Sequence, residues 1–218
     1  MSLVSILMPC YNAERFLAET LQSIRAQSHP LWELVAVDDG STDQSAACIS
    51  RFCPQARLLQ GPHGGIGRAL NLALPHARGR YLAFIDADDL WHPDKLNVQL
   101  QALNDHPEWD GCFVTVEQFW HDPQGRPAPP QITGRHRGAL LVRNSSFERV
   151  GPFREDLALA EFIDWCARAE DCGLRLGLLE LPYYRRRIHD QNTTLRPASD
   201  SKDFLKVLKA TLNRRRSR

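Results

Sequence analysis

The feature that most constrains this chain is Leu82-Ala83-Phe84-Ile85, an apolar run that passes without a break into Asp86-Ala87-Asp88-Asp89. A short apolar run ended by polar residues reads as a buried strand, and the carboxylates mark where it leaves the core. Like charges crowded at the rim of a sheet repel one another unless a cation compensates them. Asp86 and Asp88 are separated by one residue, so in an extended segment their carboxylates point to one side while Asp89 turns elsewhere. Such a pair suits a hard divalent cation, Mn²⁺ or Mg²⁺, which takes oxygen ligands and bridges carboxylates to phosphates. An acidic run after a strand serves equally as a helix cap or a solvated turn, so its neighbours must decide.

Residues 3–8 and 32–37 are further apolar runs, ended by Pro9 and by Asp38-Asp39-Gly40. Between them, residues 13–27 place Phe16, Leu17, Leu21 and Ile24 at helical spacing. The alternation continues with a helix through residue 52 capped by Ser41-Thr42-Asp43, a strand at 56–60, a helix at 65–76 and the strand at 81–85. This order predicts a mainly parallel, doubly wound sheet whose ligands bind beyond the carboxyl ends of the strands. Farther on, residues 94–104 read as helix, 112–119 as strand and 121–131 as a Pro-rich loop. A helix at 161–172, a strand at 176–181, an Arg-rich stretch and a helix from about residue 201 complete the chain.

With 218 residues and 43% hydrophobic content, the chain can bury one large core. Its 27 basic and 26 acidic side chains leave a net charge of +1, so no general field marks a nucleic-acid binder. Positive charge clusters in Arg185-Arg186-Arg187 and in Arg214-Arg215-Arg216-Ser217-Arg218, which suit phosphates or an anionic membrane surface, or else form a solvated tail. No apolar run approaches the ~20 residues of a membrane helix, and the first residues lack a signal-peptide pattern. The expected location is cytoplasmic, with peripheral membrane contact through the basic tail as an alternative to a solvated tail. The six cysteines contain no Cys-x-x-Cys pair and read as small apolar side chains rather than bridges or zinc ligands.

The sequence also resembles the family 2 glycosyltransferases of the GT-A fold. The resemblance rests on Val4-Ser5-Ile6-Leu7-Met8-Pro9-Cys10-Tyr11-Asn12, Val37-Asp38-Asp39-Gly40-Ser41-Thr42-Asp43, Gly67-Arg68-Ala69-Leu70-Asn71, the segment from Gly79 to Asp89, and Pro93-Asp94-Lys95-Leu96, in the family's order. It implies an α/β fold of GT-A (Rossmann-like) type, a mainly parallel sheet flanked by helices with a small antiparallel acceptor-side portion. Residues 1–200 would form a single domain, 1–105 its nucleotide-sugar-binding half and 106–200 its acceptor half, with 201–218 a C-terminal helix and basic tail. In the implied donor pocket Tyr11 stacks on the base beside Pro9 and Asn12, Asp39 accepts a hydrogen bond from the base, and Arg68 reaches the ribose or diphosphate. Arg68 reads equally as an exposed helix-face arginine. Asp86 and Asp88 would serve ribose and metal with Asp89 as a further metal ligand, the cofactor being Mn²⁺ or Mg²⁺.

The segments from Gly138 to Arg143 and from Phe147 to Phe153 resemble the family's stretch before its base-bearing helix, and Glu161-Phe162-Ile163-Asp164-Trp165 falls where many members carry Glu-Asp. An inverting transferase needs a carboxylate to take the proton of the acceptor hydroxyl. Aligned on Arg168, the usual Asp is Phe162, which leaves Glu161 as candidate base and Asp164 as its understudy or as a dipole-favoured helix carboxylate. Arg187-Ile188-His189-Asp190-Gln191-Asn192 resembles the family's Arg-x-His segment, so His189 is either a donor-pocket residue or a structural one. The implied activity is inverting, metal-dependent transfer of a sugar from a nucleoside-diphosphate donor of UDP type to a glycan, lipid or peptide hydroxyl. Two other readings remain open. One is a catalytically silent nucleotide-sugar-binding module, suggested by Phe162. The other is a nucleotidyltransferase, which would want a Gly-rich basic loop where this chain has Pro9-Cys10-Tyr11-Asn12. Gly64-Gly65-Ile66-Gly67 lacks the Gly-x-Gly-x-x-Gly spacing of a dinucleotide oxidoreductase.

Overall fold

The structure, a computed structural model, describes residues 2–129, 135–190, 192 and 200–216, the side chains of 200 and 201 excepted. Residues 130 and 131 of the expected loop, Gln191, and Ser217 and Arg218 of the basic tail lie outside the described residues.

Strand β1 (Val4–Cys10) is buried along its whole length. It pairs in parallel with β2 (Trp32–Asp38) and with β4 (Tyr81–Phe84), Val4 registering with Trp32 on one side and Tyr81 on the other. Strand β3 (Arg57–Gln60) extends the sheet beyond β2. The helices between these strands are α1 (Glu14–Arg25), α2 (Ser45–Phe52) and α3 (Ile66–Ala73). As its spacing predicts, α1 buries Phe16, Leu17, Leu21 and Ile24. The chain steps outward from β1 to β3 and returns on the other side of β1 at β4. The crevice of a doubly wound sheet opens at that reversal, so the loops after β1 and β4 meet there.

The second half supplies β5 (Leu90–Trp91), α4 (Lys95–Asp105), β6 (Gly111–Trp120), β7 (Leu140–Arg143), α5 (Asn144–Val150), α6 (Glu161–Asp171), β8 (Leu176–Ile188) and α7 (Asp200–Arg216). One eight-stranded sheet runs through both halves in the order β3-β2-β1-β4-β7-β6-β8-β5. Strand β7 is antiparallel to β4 and β6, and β5 to β8, which gives the mainly parallel sheet its antiparallel portion. Among the described residues no helix is long and apolar enough to cross a membrane.

Three local expectations are corrected. Pro9 lies inside β1 rather than ending it, opposite Val37. Pairing with β4 ends at Leu7 and Phe84, and Cys10 faces β2, accepting from the Asp39 N–H at 2.8 Å. By strand alternation the donor that Pro9 lacks would face the side where β4 has already diverged. The Arg-rich stretch is the second half of β8, not a free phosphate or membrane patch. Arg185 pairs with Glu117 at 2.8 Å, while Arg187 turns inward to the Asp88 carbonyl and Glu19, both at 2.8 Å. Of the cysteines, Cys10, Cys53, Cys112 and Cys166 are buried as expected, whereas Cys172 is exposed.

Beneath the site lies Lys95, fully buried. Its ammonium donates to Gln99 at 2.9 Å and sits 4.2 Å from the centre of a Trp91 ring. Gln99 in turn donates to the carbonyls of Cys112 and Ala139, tying α4 to β6 and to the turn at 137–139. Burial lowers the Lys95 pKa to about 7.

Candidate active site

The loops after β1 and β2 are knitted together by the polar residues of the first two sequence motifs. Asn12, at φ 48°, accepts from the Thr42 N–H at 2.8 Å, and its own N–H donates to Ser41 Oγ at 2.9 Å. Asp43 accepts from the Glu14 N–H at 3.1 Å, while Glu14 accepts from the Gln44 N–H at 2.8 Å. Each loop therefore caps the helix that follows the other. Asn12 is spent on this lattice, and the side chain it holds up is Tyr11, 46% exposed and stacked on His63 with ring centres 4.0 Å apart.

Asp39 is buried, and its carboxylate accepts from the N–H groups of Gly64 at 2.9 Å and Gly65 at 2.8 Å and pairs with His63 at 2.9 Å. The next residue, Gly40, has φ 77°, and a Cβ there would stand 2.8 Å from the His63 nitrogen. Asp39 and Arg68 line one cavity of about 280 Å³ with Val37, Leu72 and Glu155. Arg68 is exposed beside Gly64. Pro9 is buried.

The acidic cluster does not act as one unit. The chain turns at Ala87 and Asp88, so Asp86 and Asp88 do not share a side as an extended segment would require. Asp86 accepts from Arg137, whose guanidinium also donates to Glu161. Asp88 accepts from His189 Nε2 at 2.8 Å and from Asn192 at 3.4 Å. Asp89, buried, accepts from the Tyr184 hydroxyl and from the Arg187 N–H at 2.7 Å. Among the described residues no three His, Cys, Asp or Glu side chains converge as a metal-holding group, and the three carboxylates of the expected site each take a different partner. Asp89 is consumed in anchoring β8. That anchor needs Gly138, where a Cβ would lie 2.1 Å from the Tyr184 ring.

Glu161 and Asp164, expected on one face of a helix, take different partners. Glu161, at the start of α6, points to Arg137, with one carboxylate oxygen buried and lacking a hydrogen-bond partner. Burial raises its pKa, and the Arg137 charge opposes that rise. Burial also pushes Asp86 upward, but Arg137 and His136 outweigh it and hold the carboxyl below its usual range. Asp164 is fully buried and accepts from Arg168 at 2.7 Å, with Arg154 at 3.8 Å and Arg214 at 3.7 Å. Arg168 also donates to the carbonyls of Val150 and Pro152, both at 2.7 Å. Asp164 therefore fastens α6 to its surroundings, and its partners are distinct from the Arg137 that meets Glu161. Phe162 packs against Trp165, ring centres 6.1 Å apart.

The model of Glycosyl transferase family 2 matches residues 5–154. The chain belongs to glycosyl transferase family 2. One similar protein is the putative glycosyltransferase EpsE of Bacillus subtilis, 38% identical over 213 residues that cover 91% of this chain and 74% of that one. The UDP-Glc:alpha-D-GlcNAc-diphosphoundecaprenol beta-1,3-glucosyltransferase WfgD of Escherichia coli is 38% identical over 103 residues, 46% of this chain and 41% of that one. The chain thus spans less than half the length of some curated relatives it matches. Among solved structures, S. aureus TarS in complex with UDP-GlcNAc superposes with a TM-score of 0.78 at 23% identity, covering 95% of this chain and 65% of that one. The mannosyltransferase PcManGT from Pyrobaculum calidifontis, in complex with GDP-Man and Mn²⁺, gives 0.70 at 25% identity over 88% and 58%. The fold is the GT-A arrangement that the resemblance implies.

Three site residues carry no sequence signal of their own. Arg137 follows a Pro-rich stretch and belongs to no motif, Tyr184 sits in a charged strand, and His63 precedes two glycines. Only the folded sheet brings them to Asp86, Asp89 and Tyr11.

Proposed function

We propose that this chain transfers a sugar, with inversion, from a nucleoside-diphosphate sugar to an acceptor hydroxyl. The observation that carries the reading is the Arg137 guanidinium joined to both Asp86 and Glu161. It puts the carboxylate at the end of β4 and the carboxylate at the head of α6 within one arginine's reach. Tyr11 offers its exposed ring to a base, Asp39 and Arg68 line the adjoining cavity, and Glu161 is the group that would take the acceptor proton. A UDP-type donor is favoured by the UDP-sugars named for WfgD and TarS, and the acceptor named for WfgD is a lipid diphosphate.

Asp88 and His189 present a carboxylate oxygen and an imidazole nitrogen 2.8 Å apart, with the Asp88 side chain 26% exposed. Both atoms can turn to one divalent cation, the carboxylate oxygen being the ligand that suits Mn²⁺ or Mg²⁺. When bound there, such an ion would offset charge on a leaving diphosphate. The test is calorimetric titration with UDP- and GDP-sugars with and without Mn²⁺, followed by product analysis. Tight metal-dependent binding of a nucleotide sugar is expected, and absence of binding to any of them rejects the reading.

A silent donor-binding module is the second reading, favoured by the deep burial of Glu161 against Arg137 and by Phe162 beside it. Donor binding without turnover in the presence of varied hydroxyl acceptors would select it.

A further inference from the structure

We propose that α7 is a docking helix for an anionic lipid bilayer. Its inner face carries Asp203 and Val207, which are buried. Val207 packs on Leu157 and Ala160, and Asp203 accepts from the Ala158 N–H at 2.7 Å. Arg214 reaches Asp171 at 3.0 Å and Arg215 reaches it at 2.9 Å. These tail arginines are therefore engaged in holding α7 against α6, and the membrane contact expected of them shifts to the outer face.

That face carries Phe204, Leu205, Leu208 and Leu212, which are 44%, 63%, 55% and 47% exposed. At 3.6 residues per turn they fall within an arc of roughly 100°. Leu205 is more exposed than any other large apolar side chain among the described residues. Lys202, Lys209 and Arg216 are exposed along one edge of the stripe, and the only acidic residue between positions 202 and 216, Asp203, is turned inward. An apolar stripe edged by cations, with no exposed carboxylate between positions 202 and 216, is the pattern of a helix lying in the headgroup layer of an anionic membrane. A second copy is disfavoured, since a two-fold pairing of α7 on itself would set cations near cations with no exposed acid from residues 202–216 between them. Docking through this face is independent of the donor pocket, and holds or fails whether or not the chain turns over.

The test is sedimentation of the full chain with phosphatidylcholine vesicles, with and without phosphatidylglycerol, at low and high salt. Binding is expected to the anionic vesicles and to weaken with salt. Leu205→Ser with Leu208→Ser should lower partitioning more than about tenfold. Lys202→Gln and Lys209→Gln should each cost about fivefold on anionic vesicles alone. Because these side chains are exposed, thermal unfolding should stay at the wild-type midpoint. As an independent readout, Leu208→Trp should show a blue-shifted emission on adding anionic vesicles. No vesicle binding, binding unchanged by the leucine substitutions, or unshifted emission overturns the proposal. A concentration-dependent dimer abolished by the leucine substitutions overturns it in favour of a second copy.

Discussion

Arg137 holds Asp86 and Glu161 with one guanidinium, so a single cation biases the ionisation of the carboxylate at the end of β4 and of the carboxylate at the head of α6 together. The Arg137 charge favours the ionised form of Glu161, against burial. Removing it leaves burial unopposed, so Glu161 deprotonates at higher pH. Arg137→Gln should therefore move the acid limb of the kcat/KM profile upward by roughly 1–3 pH units, with Arg137→Lys restoring part of the shift. Glu161→Gln should abolish transfer while donor binding survives. An acid limb unmoved in Arg137→Gln would remove Glu161 from the role of base.

Neighbouring carboxylates in the acidic cluster should separate cleanly on mutation. Asp89→Ala strands the Tyr184 hydroxyl and the Arg187 N–H in the interior, and should cost about 2–4 kcal/mol in denaturant unfolding. Asp88→Asn keeps a partly exposed amide in place and should change stability by no more than about 0.5 kcal/mol. It should instead erase any Mn²⁺-dependent stabilisation by donor in a thermal-shift titration. Equal losses of stability in both variants would contradict this division of labour.

Tyr11 is held at the rim with nearly half its surface open and its ring stacked on His63. If it stacks on the base, Tyr11→Ala should weaken nucleotide binding by about 1–3 kcal/mol, and Tyr11→Phe should leave it nearly unchanged. Titration calorimetry with UDP distinguishes the two.

Lys95 should make stability depend on pH. Its pKa falls from 10.5 to about 7 in the folded chain, so between those values the unfolded chain binds the extra proton. Stability then rises as pH increases through this window, by up to about 1.4 kcal/mol per unit. Lys95→Met removes the titrating group, and the wild-type-minus-variant difference in urea unfolding between pH 7 and 10 should trace that slope. A flat difference would show that the ammonium is not desolvated in the fold.

The amino-acid sequence by itself determined the parallel half of the sheet, the crossover helices and the residues at their rim. Those features depend on spacing within short segments: Phe16 to Ile24 on one helical face, the apolar run 81–85, the loop residues Asn12 and Asp43. It also marked Glu161 and Asp164 as candidates, but not which of them shares a guanidinium with Asp86. Helical spacing put both on one side, and the guanidinium groups around α6 drew them to different partners. The tertiary structure likewise divided the acidic cluster, because the turn at Ala87 and Asp88 sends each carboxylate to a partner distant in sequence, Asp86 to Arg137, Asp88 to His189 and Asp89 to Tyr184. Those partners come from β8, the residue beyond it, and the turn before β7, and their positions depend on the pairing of β8 with β6 and of β7 with β4. Strand register is a long-range packing outcome, and a one-residue slip of β8 would turn Tyr184 away from Asp89.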